Sequence, residues 1–236
     1  MRSGGGDAVE RRSCAVIRHV AFEDLGCWED ELPRLGYEVT YLDAGVDDLA
    51  PFRDADLGIV LGGPIGVDDA SEYPNVPQEI ALIRERLDSD LPTLGVCLGL
   101  QLMAAALGAR VGRGTFEFGW KQVRPTPVGL AGPLRRVAGT PMLVWHGDEA
   151  ELPEGAVLLA STDEVPVHAF SYGSSLAVQF HPEVDPKTFE RWIIGNMVEL
   201  RELEVSIPEY RAEMQERGAA AVYASLGLLR DYVAGL

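Results

Sequence analysis

Between residues 14 and 108, short apolar runs alternate with segments of helical spacing, and that alternation restricts the fold more than any other feature of the chain. The runs are residues 14–20, 37–42, 57–61 and 94–96. They lack the strict apolar–polar alternation of half-exposed strands, and such strands separated by helices mean a parallel sheet covered on both sides. The spacing of Ile80, Ile83 and Leu87 predicts a helix over residues 76–87, and another follows over 98–107 with Gly108 as its stop. Residues 23–35 form a mixed polar–apolar stretch ending at Gly36. The expected fold class is α/β: a doubly wound, mostly parallel central sheet with helices on both faces, plus C-terminal helices.

A length of 236 residues suits one large domain with an appendage. The expected division is a flexible tail over 1–13, a domain over 14–204, and a C-terminal helical extension over 205–236 packed on that domain. After Trp120, prolines at 125, 127, 133, 141, 153 and 166 separate short apolar runs. Strands are expected at 143–145, 157–160, 167–170 and 176–180. The chain then reads as helix over 188–203, a break near Pro208, and helix over 209–232, with Gly218 and Gly227 as points of interruption.

Several function classes drop out on composition. A net charge of −17 opposes phosphate binding, so nucleic acid is not an expected partner. The apolar stretch 91–109 is divided by Pro92, Gly95, Gly99, Gln101 and Gly108, so no membrane span is expected. Three scattered cysteines, Cys14, Cys27 and Cys97, form no disulfide framework, and a reducing, cytoplasmic setting follows. The first thirteen residues lack the apolar core of a signal peptide. The cysteines and histidines show no metal-ligand spacing, so neither metal nor cofactor is expected.

Chemistry concentrates at Gly95-Val96-Cys97-Leu98-Gly99-Leu100-Gln101. A residue on a tight turn from strand to helix exposes its side chain at the cost of crowding its neighbours. Glycines two positions before and after relieve that crowding. The helix that follows aims its first amides at the sulfur. A helix terminus contributes only ~0.3–1 kcal/mol, less than the ~1.4 kcal/mol of one pKa unit, while a free thiol titrates near ~8.5. An ionised nucleophile at neutral pH therefore needs an imidazolium neighbour as well.

His181-Pro182-Glu183 supplies one. Side chains alternate along an extended strand, and Pro182 biases His181 toward that geometry. His181 and Glu183 then share a face, where the carboxylate sets the tautomer and orientation of the ring. His19, His146 and His168 read as satisfied structural residues. Acyl chemistry on a thiol also needs amide donors for the developing oxyanion. Leu98, following the nucleophile, and the Gly62-Gly63-Pro64 turn after a strand are positioned to supply them.

Taken in order, Leu61-Gly62-Gly63-Pro64, the Cys97 segment, Glu117-Phe118-Gly119-Trp120, Trp145-His146-Gly147-Asp148 and Gln179-Phe180-His181-Pro182-Glu183 make the chain resemble the class I (triad) glutamine amidotransferases. The likeness is to their GMP-synthetase-like single-domain branch and covers about residues 16–184. It implies a flavodoxin-like fold and a Cys97–His181–Glu183 triad. It further implies an oxyanion hole from the Gly63 and Leu98 amides, and substrate contacts from Gly62, Gln101, Glu117, Phe118 and Gly119. Cys97 would attack the side-chain amide of glutamine, forming a γ-glutamyl thioester. Position 100 is Leu, where histidine or methionine often stands in this branch. Too few residues follow Glu183 for a nucleotide-activating module, so GMP synthesis by these residues alone is not expected.

Three readings remain open on the residues. The first is a glutaminase feeding ammonia to a synthetase or other acceptor subunit. The second is a free-standing γ-glutamyl hydrolase, and the third a non-catalytic binding or regulatory protein on the same fold. The substrate is glutamine or a γ-glutamyl small molecule, and the C-terminal helices offer a surface for a homo-oligomer or a partner.

Overall fold

The computed structural model describes residues 11–236. Residues 1–10 of the expected tail lie outside the described residues, whereas Arg12 and Ser13 already belong to the first strand. There the Ser13 amide and hydroxyl both donate to Asp56.

The strands are β1 (Arg12–Arg18), β2 (Tyr37–Asp43), β3 (Leu57–Val60), β4 (Thr93–Val96), β5 (Val111–Gln122), β6 (Arg124–Pro125), β7 (Pro141–Ala150), β8 (Val157–Ser161), β9 (Ala169–Tyr172) and β10 (Ser175–Val178). The α-helices are α1 (Glu31–Arg34), α2 (Ala50–Asp54), α3 (Asn75–Asp88), α4 (Leu98–Ala106), α5 (Pro127–Ala131), α6 (Phe189–Gly195), α7 (Met197–Glu202) and α8 (Ile207–Ala234). Eight strands form one sheet in the order β2-β1-β3-β4-β10-β9-β8-β6, and β5 with β7 forms a separate two-stranded ribbon. The pairings from β2 through β10 are parallel, and those beyond β10 are antiparallel.

The sequence pattern of β1 follows from burial on both faces. Cys14 and Val16 enter one core with Leu57, Ile59 and Leu94, while Ala15 and Ile17 enter the opposite core with Phe52, Ile83 and Met103. Period-two alternation is present, but both sets are apolar. The first core is closed by α8 through Leu228, Leu229, Tyr232 and Val233.

Two sequence expectations are corrected here, and one strand is added. Helix α8 runs unbroken for 28 residues, and Gly218 and Gly227 serve close approach instead of interruption. A Cβ on Gly218 would meet Pro186 at 2.5 Å, and one on Gly227 would meet Arg136 at 3.0 Å. Pro208 lies in the first turn of α8, where its missing N–H is no loss, so it marks the helix start. The helix expected over 188–203 is two helices divided at Asn196, next to Gly195, where a built Cβ would lie 2.4 Å from the Phe22 ring. Strand β5 has no counterpart in the expected elements; its glycines at 112, 114 and 119 and a register shift between Arg113 and Glu117 blur its periodicity.

Helix α4 packs almost in contact with β3. A Cβ on Gly99 would lie 2.1 Å from the Val60 carbonyl oxygen, a backbone atom without freedom to move aside. Gly99→Ala should therefore destabilise the fold by about 1–3 kcal/mol or more, read as a lower urea midpoint at an unchanged m-value. An unchanged midpoint would show that the strand and helix are not in this contact.

Candidate active site

Strands β3, β4 and β10 are adjacent and parallel, so their carboxyl ends share one rim of the sheet. Gly62-Gly63 follows β3, Cys97 follows β4, and His181 lies just beyond β10. Strand order alone thus gathers segments that are far apart in the chain, at the edge where open α/β sheets bind ligands.

Cys97 has φ 51° and ψ −106°, a conformation that L residues seldom adopt. Its amide donates to the Val178 carbonyl at 2.8 Å, which ties the turn to β10. Cys97 is 6% exposed; its thiol lies 3.6 Å from the Trp145 carbonyl oxygen, and Gln179 Nε2 donates to the sulfur at 3.5 Å. The glycines flanking the turn are required by contact as well as by turn geometry. A Cβ on Gly95 would meet the Gly99 carbonyl oxygen at 2.6 Å.

His181 is fixed from three directions. Its amide donates to Leu143 O at 2.8 Å, its Nδ1 bonds Glu183 Oε1 at 2.8 Å, and Trp192 meets its ring edge-on with centroids 5.0 Å apart. Burial opposes a charge on the ring. The Glu183 carboxylate and the neighbouring Cys97 outweigh it and hold the imidazole well above its ordinary titration range. Glu183 is itself buried, and among the described residues its Oε2 has no hydrogen-bond partner. Gly26, at φ +50°, lets the chain approach it: a Cβ there would sit 2.0 Å from the Glu183 carbonyl oxygen, which Cys27 N bonds at 2.8 Å.

These groups border a cavity of about 260 Å³ whose lining includes Gly63, Cys97, Gln101, Trp145, Asp148 and His181. Gln101 is held by its Nε2, which donates to Asp148 O at 3.3 Å and Gln179 Oε1 at 3.4 Å. Among the described residues, neither the Gly63 nor the Leu98 amide donates to a protein acceptor. Leu98 is a buried side chain behind the lining, and Gly62 is likewise one layer back. The arrangement can place a nucleophilic sulfur, a charged imidazole and two amide donors around one reacting carbonyl.

Glu117, Phe118 and Gly119 are absent from the lining of this cavity. They lie in β5, where neighbouring side chains point to opposite faces. Phe118 packs against Trp145 and Tyr210. Glu117 is fully buried beneath the cavity, accepting from His146 Nε2 at 3.1 Å, His168 Nε2 at 2.6 Å and Thr162 Oγ1 at 2.8 Å. Burial resists its charge, but those donors hold the carboxyl well below the ordinary range. His146 and His168 are thus tied into a polar cluster, and its donor atoms lie within 4.8 Å of one another, as metal ligands would. Sequence spacing hid this convergence, because the three residues come from β5, β7 and the turn before β9.

Glu23 is a site residue that sequence reasoning missed, since an isolated glutamate in a loop carries no signal. It lines the cavity yet is only 6% exposed, and its Oε2 lies 2.1 Å from where a Gly62 Cβ would be. Burial pushes its carboxyl up to about 7, with His181 drawing it down and Glu183 pushing it further up.

Residues 29–200 match the family model described as "Glutamine amidotransferase class-I". The chain is 39% identical over 178 residues to one of the subunits of the glutamine-hydrolysing GMP synthase of Natronomonas pharaonis, covering 71% of this chain and 81% of that one. It is 35% identical over 177 residues to the glutamine-hydrolysing GMP synthase of Herminiimonas arsenicoxydans, covering 68% of this chain but 31% of that protein. The chain thus spans about a third of the length of that relative. Among solved structures, a glutamine amidotransferase from Thermotoga maritima superposes with a TM-score of 0.85 at 31% identity, covering 94% of this chain and 98% of that one. A glutamine amidotransferase from Methylobacillus flagellatus gives 0.83 at 25% identity, covering 96% of each chain.

Glu23 generates a pH-dependent prediction. Its folded pKa, about 7, lies above the ordinary carboxyl value of 4.5. Its contribution is therefore fully present below the ordinary value and is lost as pH rises through 7. Glu23→Gln should match the parent in stability near pH 5 and exceed it at pH 8 by on the order of 2–3 kcal/mol, measured by urea melts. A difference independent of pH would contradict the buried carboxyl.

Proposed function

Since this chain belongs to the class I glutamine amidotransferase family, we propose that it hydrolyses the side-chain amide of glutamine, with Cys97 as nucleophile, His181 as proton carrier and Glu183 as the group that orients it. The observation that carries this reading is that Cys97 and the buried His181–Glu183 pair border one cavity that Gly63 also lines, with the Gly63 and Leu98 amides free of protein acceptors among the described residues.

In the proposed cycle the Cys97 thiolate attacks the amide carbon, and the oxygen gathers charge at the Gly63 and Leu98 amides. The His181 imidazolium gives its proton to the departing nitrogen, so ammonia leaves and a γ-glutamyl thioester remains. The neutral imidazole then takes a proton from water, whose hydroxide attacks the thioester. The second tetrahedral intermediate collapses to glutamate and regenerates the thiolate beside the imidazolium. Glu183 stays ionised throughout and fixes which ring nitrogen faces the sulfur. Gln101 and Asp148, both in the lining, suit the polar amino-acid end of the substrate.

The relatives named as GMP synthases support glutamine as substrate and a synthetase as the recipient of the ammonia. Three free cysteines fit a reducing, cytoplasmic setting, and among the described residues no helix is long and apolar enough to cross a membrane.

Release of glutamate and ammonia from glutamine should be measurable with the purified chain and should rise when a synthetase partner is added. Cys97→Ala should lower turnover by at least a thousandfold, and diazo-oxo-norleucine should modify Cys97 rather than Cys14 or Cys27. Preferred cleavage of γ-glutamyl peptides would move the assignment to a γ-glutamyl hydrolase. Binding of glutamine without turnover would leave a regulatory protein.

A further inference from the structure

The Gly62–Gly63 peptide unit contains both the Gly62 carbonyl and the Gly63 amide, and in a trans peptide these point in opposite directions. Whatever holds the carbonyl therefore aims the amide. That carbonyl accepts a 2.9 Å hydrogen bond from Nδ1 of His19, whose other ring nitrogen lies 2.9 Å from Glu79 Oε2. Carbonyl and carboxylate oxygens only accept, so a ring bonded to both carries two protons and a positive charge. The two side chains are 3% and 0% exposed. Glu79 is fixed in turn by Asn75 Nδ2, which donates to its Oε1 at 3.0 Å, so the chain of bonds is anchored on α3. Burial works against the His19 charge, but the bond to Glu79, its charge, the Gly62 carbonyl and nearby Glu23 outweigh it and raise the ring's titration.

We propose that the His19–Glu79 pair is a positioning device that locks the Gly62–Gly63 peptide with its amide turned into the cavity, so that the second oxyanion donor is preformed. Two glycines in sequence give this peptide unusual freedom to rotate, and a charge-assisted hydrogen bond is roughly twice as strong as a neutral one. A built Cβ on Gly63 would meet His19 Cβ at 2.7 Å, so the imidazole also forms the floor of the turn. The inference rests on the proposed role of Cys97 in acyl transfer, and it concerns a step that role alone does not require.

The experiment separates acyl chemistry from simple thiolate reactivity. Hydrolysis of glutamine builds charge on oxygen, whereas alkylation of Cys97 by iodoacetamide does not. His19→Leu should lower kcat by about 10²-fold, the usual effect of losing one oxyanion donor, with KM within about twofold. Its rate of Cys97 alkylation should stay within about twofold of the parent. His19→Asn, whose amide nitrogen can replace Nδ1 as donor to Gly62, should recover at least about tenfold of the loss. Glu79→Gln keeps size and hydrogen bonding while removing the charge, so it carries the same test if His19→Leu does not fold; its kcat should fall with alkylation unchanged. Unaltered kcat in these variants, or a parallel loss of alkylation, overturns the proposal. Failure of the parent protein itself to be alkylated at Cys97 would instead overturn the nucleophile assignment.

Discussion

The structure depends on a turn that most residues avoid. Cys97 holds φ 51° between β4 and α4, and a non-glycine residue in such a conformation costs on the order of 1–3 kcal/mol. The surroundings leave it no alternative. The Cys97 amide is claimed by β10, its carbonyl accepts from Gln101 N, and Gly99 lies against the Val60 carbonyl. Relaxing the turn would part α4 from β3 and disturb the core formed by Leu98, Leu102 and Met103 with Val60 and Ile17. The strain is thus carried by the packing of α4 on the sheet and by the bond to β10, and its product is a sulfur at the cavity and at a helix N-terminus.

Around that sulfur, an acidic protein arranges its few histidines as buried partners of carboxylates. His181 pairs with Glu183, His19 with Glu79, and His146 and His168 share Glu117. All four rings are nearly or fully inaccessible in their side chains. A buried ion pair is weak as a source of stability, because the cost of removing two charges from water offsets their attraction. Its usefulness lies in fixing direction. His19 directs a ring nitrogen at the Gly62 carbonyl and His146 one at the backbone of Asp148, while His181 borders the same cavity as Cys97.

Much of this was legible in the chain because its causes are local. The glycines around Cys97 report turn geometry directly, and the alternation of runs before Gly108 reports a sheet buried on both faces. His181 and Glu183 do pair, but across the turn after β10 instead of along a continuing strand, since β10 ends at Val178. Other features depend on contacts between distant segments and leave no local mark. Gly218 and Gly227 look like helix breakers until Pro186 and Arg136 are seen against them. The bonds from Glu117 to His146 and His168 form only because the ribbon of β5 and β7 brings distant segments together. His19 carries no signal at all, since its meaning comes from Glu79, sixty residues away.

The central claim is that the Cys97 sulfur and the His181 imidazole are electrostatically coupled. It is tested most directly by following the His181 ring by NMR through a pH titration, in the parent and in Cys97→Ala. The account predicts a ring that stays protonated well above the ordinary histidine range, near ~6.5, and that titrates lower once the sulfur is removed. A titration indifferent to the loss of Cys97 would contradict it.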